Sequence, residues 1–179
     1  DDVVSEVSGI AKKMKVGPGL SSPDMGPLVS QEQFEKVKGY IKSGQSDGAK
    51  CTVGGGTVGD KGYFVEPTVL TNTNDKMDVI KEEIFGPVVA AEPFEDQDEI
   101  ISRSNNTTYG LAAAVWTSDL SKAIKTAEAF RSGTVWVNTY NIFDAALPFG
   151  GYKQSGWGRE MGSEILEAYT QTKSVVIAK

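Results

Sequence analysis

LAAAVWTSDLSKAIKTAEAFRSGTVWVN, residues 111–138, carries the pattern that decides the fold. LAAAVWT is almost wholly apolar. In SDLSKAIKTAEAFRSG, the residues Leu120, Ala123, Ile124, Ala127 and Phe130 recur at helical spacing, and Gly133 stands just past the end. TVWVN is a second apolar run. Strands that are apolar on both sides need cover on both sides, and amphipathic helices between them provide it. The stretch therefore predicts strand, helix, strand in a parallel sheet. Upstream the alternation continues, with IFGPVVAAEPF as a buried strand and DQDEIISRSNN as a helix with acidic residues at its positive end. The expected fold is α/β, a parallel sheet covered by helices, built on a right-handed β-α-β-α-β core.

Further upstream the signals are more local. Val3, Val4, Val7, Ile10 and Met14 have helical spacing. Ser30 and Gln33 form a capping-box signature ahead of the apolar face Phe34, Val37, Tyr40 and Ile41, and Gly44 is a plausible stop. Two strands are predicted near residues 49–53 and 63–70, the second demoted to an edge or a broken strand by Pro67. KMDVIKEE reads as a short helix, and another lies near residues 162–169. The tail KSVVIAK is β-prone, and no later segment can pair with it. It is either a frayed terminus or a strand whose partner lies earlier in the chain or in another subunit.

Composition narrows the function. The 179 residues suffice for one domain, with 39% hydrophobic and 23% charged residues, as in globular proteins. A net charge of −6 with dispersed Lys and Arg argues against a nucleic-acid partner. No apolar run approaches the roughly 18 residues of a membrane span. No secretory signal is seen at the start, and a single Cys suits a reducing compartment, so the expected location is cytoplasmic. His is absent, which removes the commonest base and metal ligand.

Several motifs have bland readings that outweigh functional ones. Gly54, Gly56 and Gly59 have dinucleotide-turn spacing, but a strand with a proline follows where a helix is needed. Cys51 reads as a packing residue. Asn105 and Asn106 head formal glycosylation sequons that read better as a helix-end turn. Asp96, Asp98 and Glu99 read as a solvated helix start, so no metal site is expected.

Two stretches stay ambiguous on local grounds. In KEEIFGPVV, Glu83 can accept hydrogen bonds from a sugar diol and Phe85 can abut a flat ring; alternatively these are a solvated helix end and a core Phe. In VNTYNIFDAALPFGGYKQSGWGRE, Ile142, Phe143 and Phe149 lie past the end of a strand, where ligand sites of parallel sheets gather. They either line an apolar pocket or anchor a long loop.

KEEIFGPVV, NNTTYGLAAAVWTSDLSKA, GTVWVN and PFGGYKQSGWGREMG, in that order, resemble the aldehyde dehydrogenase superfamily over essentially the whole chain. The resemblance implies an oxidoreductase that converts an aldehyde to a carboxylic acid with NAD or NADP, through a thiohemiacetal and a thioester. It implies that Glu83 contacts the nicotinamide-ribose hydroxyls and that Phe85 lies on the nicotinamide side. It makes Asn141, Ile142, Phe143 and Phe149 part of an aldehyde tunnel. It also implies a homo-oligomer, dimer or tetramer, in which the terminal strand extends a sheet across the subunit interface.

One departure is decisive. The family's nucleophilic Cys lies in a Gly-Gln-Cys segment upstream of the matched region, with its general-base Glu and oxyanion-stabilising Asn further upstream, and Cys51 matches none of them. No catalytic residue is therefore expected here. Residues 1–169 are expected to be part of the catalytic domain and 170–179 the oligomerisation strand. The segment is expected to be the C-terminal part of the catalytic domain, inactive alone, and prone to non-native association or marginal stability. A free-standing binding or assembly module and a relative that acylates coenzyme A are the competing readings.

Overall fold

A computed structural model describes residues 2–179; Asp1 lies outside the described residues. The chain divides into two compact units, residues 1–93 and 94–179, where composition alone predicts one domain.

The first unit holds α1 (Asp2–Lys13), α2 (Gln31–Ser46), β1 (Lys50–Val53), β2 (Thr68–Thr71), α3 (Asp78–Lys81) and β3 (Val88–Ala90). Ser30 caps α2, its Oγ accepting from the Gln33 N–H at 3.2 Å. The apolar stripe of α2 buries Val37 and Ile41 against Val65, Leu70, Met77, Val79 and Ile84. Gly44 does not end the helix. It is buried inside it, and a Cβ there would lie 3.0 Å from Val79 Cγ1. Its signal is close packing rather than termination.

The three strands run in the order β1-β2-β3, with β1 antiparallel and β3 parallel to β2. β2 is thus central, which corrects its reading as an edge strand. Pro67 sits just before the ladder begins, where its missing N–H costs no hydrogen bond. The preceding residues form only the isolated bridge Thr57–Val65, so the run is broken at the proline as expected. The glycine-rich segment is a loop after β1 with no helix behind it. Gly54, at φ +73°, gives way to the Pro67 carbonyl, which a Cβ would approach to 2.2 Å.

The second unit holds α4 (Gln97–Asn105), β4 (Ala112–Val115), α5 (Leu120–Ala129), β5 (Thr134–Val137) and α6 (Ile165–Tyr169). Asp96 and Asp119 cap α4 and α5, accepting from Glu99 N at 2.8 Å and Lys122 N at 3.0 Å. β4 and β5 pair in parallel from Ala112–Thr134 to Val115–Val137. The predicted strand-helix-strand is therefore present. The expected β-α-β-α-β core is seen only as this second half, because β3 takes its ladder from β2. An apolar pattern identifies a buried strand and leaves its neighbour open.

Gly133 again marks a close approach. A Cβ there would lie 1.6 Å from the Gly150 carbonyl oxygen. Thr170 to Lys179 join no helix or strand, and Val175, Val176 and Ile177 are exposed. Among the described residues the tail therefore forms no ladder. No helix is long and apolar enough to cross a membrane among the described residues.

Candidate functional site

Two constellations arise, one in each unit. In the first, α3 ends at Glu82 and the chain turns through Glu83-Ile84-Phe85-Gly86 into β3. Ile84 is buried, at 8% exposure, while Phe85 is 69% exposed. Ile84, not Phe85, fills the core, which removes the core-Phe alternative. Phe85 has φ +54°, a left-handed conformation that an aromatic residue rarely adopts. Gln33 holds it there, donating from Nε2 to the Ile84 and Phe85 carbonyls, each at 3.0 Å. The Gln33 capping-box signal thus has a second meaning, since its side chain reaches across to this turn. Tyr40 Oη donates to Glu82 Oε2 at 2.5 Å. Glu83, between these anchored residues, is exposed.

In the second unit the loop after β5 is built on Trp136. Its ring is buried, and its Nε1–H donates to the Ile142 carbonyl at 2.8 Å, fixing the loop's apex. Phe143 meets Trp136 edge-on at 5.6 Å between centroids and meets Phe149 edge-on at 5.1 Å. Tyr140 packs on Trp136 at 5.2 Å. Phe143 and Phe149 are therefore in contact, with Ile142 held one residue away. Phe143 remains 46% exposed and Ile142 65%. Asn141 makes the turn at φ +58°, and its side chain is exposed.

The polar run behind the aromatic loop closes it. Phe149 and Glu160 exchange backbone hydrogen bonds at 2.8 and 2.7 Å. Ser155 Oγ accepts from Gly110 N at 2.9 Å, and the Gly110 carbonyl accepts from Tyr152 N at 2.8 Å. Lys153 Nζ donates to the Asn105 and Thr107 carbonyls at the end of α4, at 2.8 and 3.1 Å. A cation there complements the helix dipole. Arg159 donates to the Gly151 and Gly158 carbonyls and stacks over Tyr152.

The side chains given bland readings have structural work. Asn105 accepts from Arg131 N at 2.7 Å and donates to the Ala129 carbonyl at 2.8 Å, a helix-end turn. Asp96 caps α4, Asp98 pairs with Lys125 at 2.8 Å, and Glu99 pairs with Arg103 at 3.0 Å. Cys51 donates through Sγ to the Val53 and Gly54 carbonyls at 3.1 and 3.3 Å. Burial is the main cause that pushes its thiol pKa up, with the Glu66 carboxylate acting the same way and the Val53 backbone opposing. A thiol held protonated is a poor nucleophile.

Sequence reasoning missed Gln33, Tyr40 and Trp136 as parts of these constellations. Only Trp136 carried a signal, since a buried Trp needs an acceptor for its N–H.

Known proteins share this arrangement of elements. The model of the aldehyde dehydrogenase family matches residues 1–175. Mitochondrial aldehyde dehydrogenase of Homo sapiens is 49% identical over 178 residues, covering 99% of this chain and 34% of the relative. Aldehyde dehydrogenase 1A1 of Gallus gallus is 51% identical, covering 99% of this chain and 35% of the relative. An NAD+ complex of aldehyde dehydrogenase from Bacillus cereus superposes with a TM-score of 0.93 at 50% identity, covering 97% of this chain and 36% of that one. Betaine aldehyde dehydrogenase from Staphylococcus aureus, in complex with NAD+, gives 0.87 at 42% identity, covering 92% and 34%. The chain thus spans about a third of the length of the relatives it matches. It belongs to the aldehyde dehydrogenase family.

Proposed function

We propose that this chain is the C-terminal part of the catalytic domain of an NAD(P)-dependent aldehyde dehydrogenase, contributing cofactor and substrate contacts but no nucleophile. The observation that carries the reading is the edge-to-face array of Trp136, Phe143 and Phe149. Three rings in series, with Phe143 edge-on to both Trp136 and Phe149 and itself half exposed, form a rigid apolar surface of the kind that binds an uncharged organic substrate. Phe143, Phe149, Ile142 and Asn141 are the wall on which the aldehyde rests.

Glu83 and Phe85 fit the cofactor. An ionised carboxylate offers acceptors to both hydroxyls of a ribose, and an exposed ring offers a face to a flat heterocycle. NAD(P), when bound, supplies the hydride acceptor. Glu83 orients it, and Phe85 excludes water from its nicotinamide side. Cys51 takes no part, its thiol being tied to the Val53 and Gly54 carbonyls. Thioester chemistry needs a thiolate and oxyanion donors supplied by other parts of the enzyme, so the chain alone is inactive. The tail from residue 170 finds its ladder partner in another subunit of a homo-oligomer.

Steady-state kinetics of the complete enzyme carrying these residues test the assignment. Glu83→Gln should raise the KM for NAD(P), whereas Phe149→Ala should raise the KM for aldehyde. An unchanged cofactor KM in Glu83→Gln overturns the cofactor assignment. Turnover by the isolated chain overturns the placement of the nucleophile outside it.

A further inference from the structure

We propose that Trp136 is a positioning residue for size selection: its indole N–H sets where Phe143 stands against Phe149, and so how well the site takes bulky apolar aldehydes. The proposal rests on the reading of Phe143 and Phe149 as the aldehyde wall and adds a residue that acts on that wall from behind.

The two phenylalanines are held by different means. The Phe149 backbone exchanges hydrogen bonds with Glu160 at 2.8 and 2.7 Å, so backbone pairing sets its place. Phe143 has no such support. Among the described residues, the segment from Thr139 to Phe143 makes one hydrogen bond, from Trp136 Nε1–H to the Ile142 carbonyl at 2.8 Å. The flanks are tied separately. Asn138 closes the base, its Oδ1 accepting from Thr117 N at 2.8 Å and its Nδ2 donating to the Thr117 carbonyl at 2.9 Å. On the far side the Ala145 carbonyl accepts from Gly162 N at 3.0 Å. Between these ties the indole holds the apex.

The indole is suited to that task. It meets Tyr140 at 5.2 Å and Phe143 at 5.6 Å between centroids, both edge-on, so its contacts lie on either side of the left-handed turn at Asn141. Trp136 is 9% exposed and paired with Ala114 in the β4–β5 ladder, which fixes the anchor to the sheet. Without the N–H, the Ile142 carbonyl loses its donor and Phe143 its set distance from Phe149. A flat aldehyde large enough to touch both rings then loses a preorganised surface, whereas a two-carbon aldehyde touches little of it. The property under Trp136 control is therefore discrimination by size.

The test uses the complete enzyme, with benzaldehyde as the bulky probe and acetaldehyde as the small one. Trp136→Phe keeps an aromatic ring beside Phe143 and removes the N–H. Benzothienylalanine at position 136 replaces the N–H by sulfur at nearly the same shape, and it keeps the test decisive should Trp136→Phe fold poorly. Each should raise the ratio of the benzaldehyde KM to the acetaldehyde KM by about three- to tenfold, as loss of one hydrogen bond allows, with the KM for NAD(P) within about twofold. Phe143→Ala should raise the same ratio by itself, and in that background the Trp136 effects should fall below about twofold, because the ring being positioned is gone. A ratio unmoved by both Trp136 changes while Phe143→Ala raises it overturns the anchor and leaves the wall standing. A Trp136 effect that persists in full without Phe143, or that raises all three KM values together, overturns it as well. A ratio unmoved by Phe143→Ala, or no turnover of benzaldehyde, refutes the wall itself, and the anchor falls with it.

Discussion

Gly133→Ala should unfold the aromatic loop from its base. The added Cβ would sit 1.6 Å from Gly150 O and 2.7 Å from Gly150 C. Real Cβ contacts stay at or beyond 3.0 Å, so the backbone must separate by 3.0 − 1.6 = 1.4 Å. The obstruction is backbone rather than the end of a flexible side chain, so no rotamer change relieves it. Gly150 is tied to this position from the other side, where its own Cβ would meet the Gly158 carbonyl at 2.5 Å. Overpacking of this kind costs about 1–3 kcal/mol, and the severity of the overlap places Gly133→Ala at about 3 kcal/mol. All three Trp residues, Trp116, Trp136 and Trp157, lie in the second unit, so their fluorescence follows that unit during urea unfolding. With a slope of about 1–2 kcal/mol per M, the midpoint should fall by about 1.5–3 M. The near-ultraviolet signal of the Trp136–Phe143–Phe149 array should weaken even before unfolding. A loss under about 1 kcal/mol with the aromatic signal intact would refute the close approach of the two glycines.

Other expectations follow the same logic. Gly39→Ala and Gly44→Ala lie in one helix but should differ in sign. Position 39 is open and should gain about 0.5–1 kcal/mol from helix propensity, while position 44 presses on Val79 and Leu70 and should lose stability in thermal melts. Cys51 should react with iodoacetamide at pH 8.5 more slowly than a free cysteine peptide. Its raised pKa favours the thiol, so the associated stability is present below the unfolded pKa and is lost as pH rises through the folded one; a faster reaction would contradict the buried hydrogen-bonded thiol. Glu99 should titrate below the ordinary Glu value in an NMR experiment, chiefly because it accepts from Glu95 N at 2.8 Å. Its contribution to the start of α4 is present above the unfolded pKa and disappears as pH falls through the folded one. An ordinary midpoint would show the Glu95 bond absent in solution. In size-exclusion chromatography the isolated chain should associate, since Val175, Val176 and Ile177 are exposed in an unpaired tail; a stable monomer would contradict that.

What the sequence revealed depended on whether the cause was local. The β4-α5-β5 unit was legible because its strands and helix are set by periodicity and a cap, all within residues 111–138. The partner of β3 was not, because two apolar faces do not say which neighbour covers an edge. Gly44 and Gly133 stand where glycine usually punctuates a helix, yet each yields to a residue distant in sequence: Val79 for one, Gly150 for the other. Phe143 and Phe149 were legible as candidates from their place beyond a strand. Their direct contact, and that of Phe143 with Trp136, was not, since both require the loop to fold back on β5. Gln33 illustrates the limit best. Its local signal was a helix cap, and its larger role depends on a turn 51 residues away.

A crystal structure of the complete dehydrogenase with NAD(P) and an aldehyde-derived ligand addresses the central claim directly. The account predicts the Glu83 carboxylate within hydrogen-bond distance of the nicotinamide-ribose hydroxyls, with Phe143 and Phe149 in van der Waals contact with the ligand. Glu83 facing bulk solvent, or the two rings turned away from the ligand, would contradict it.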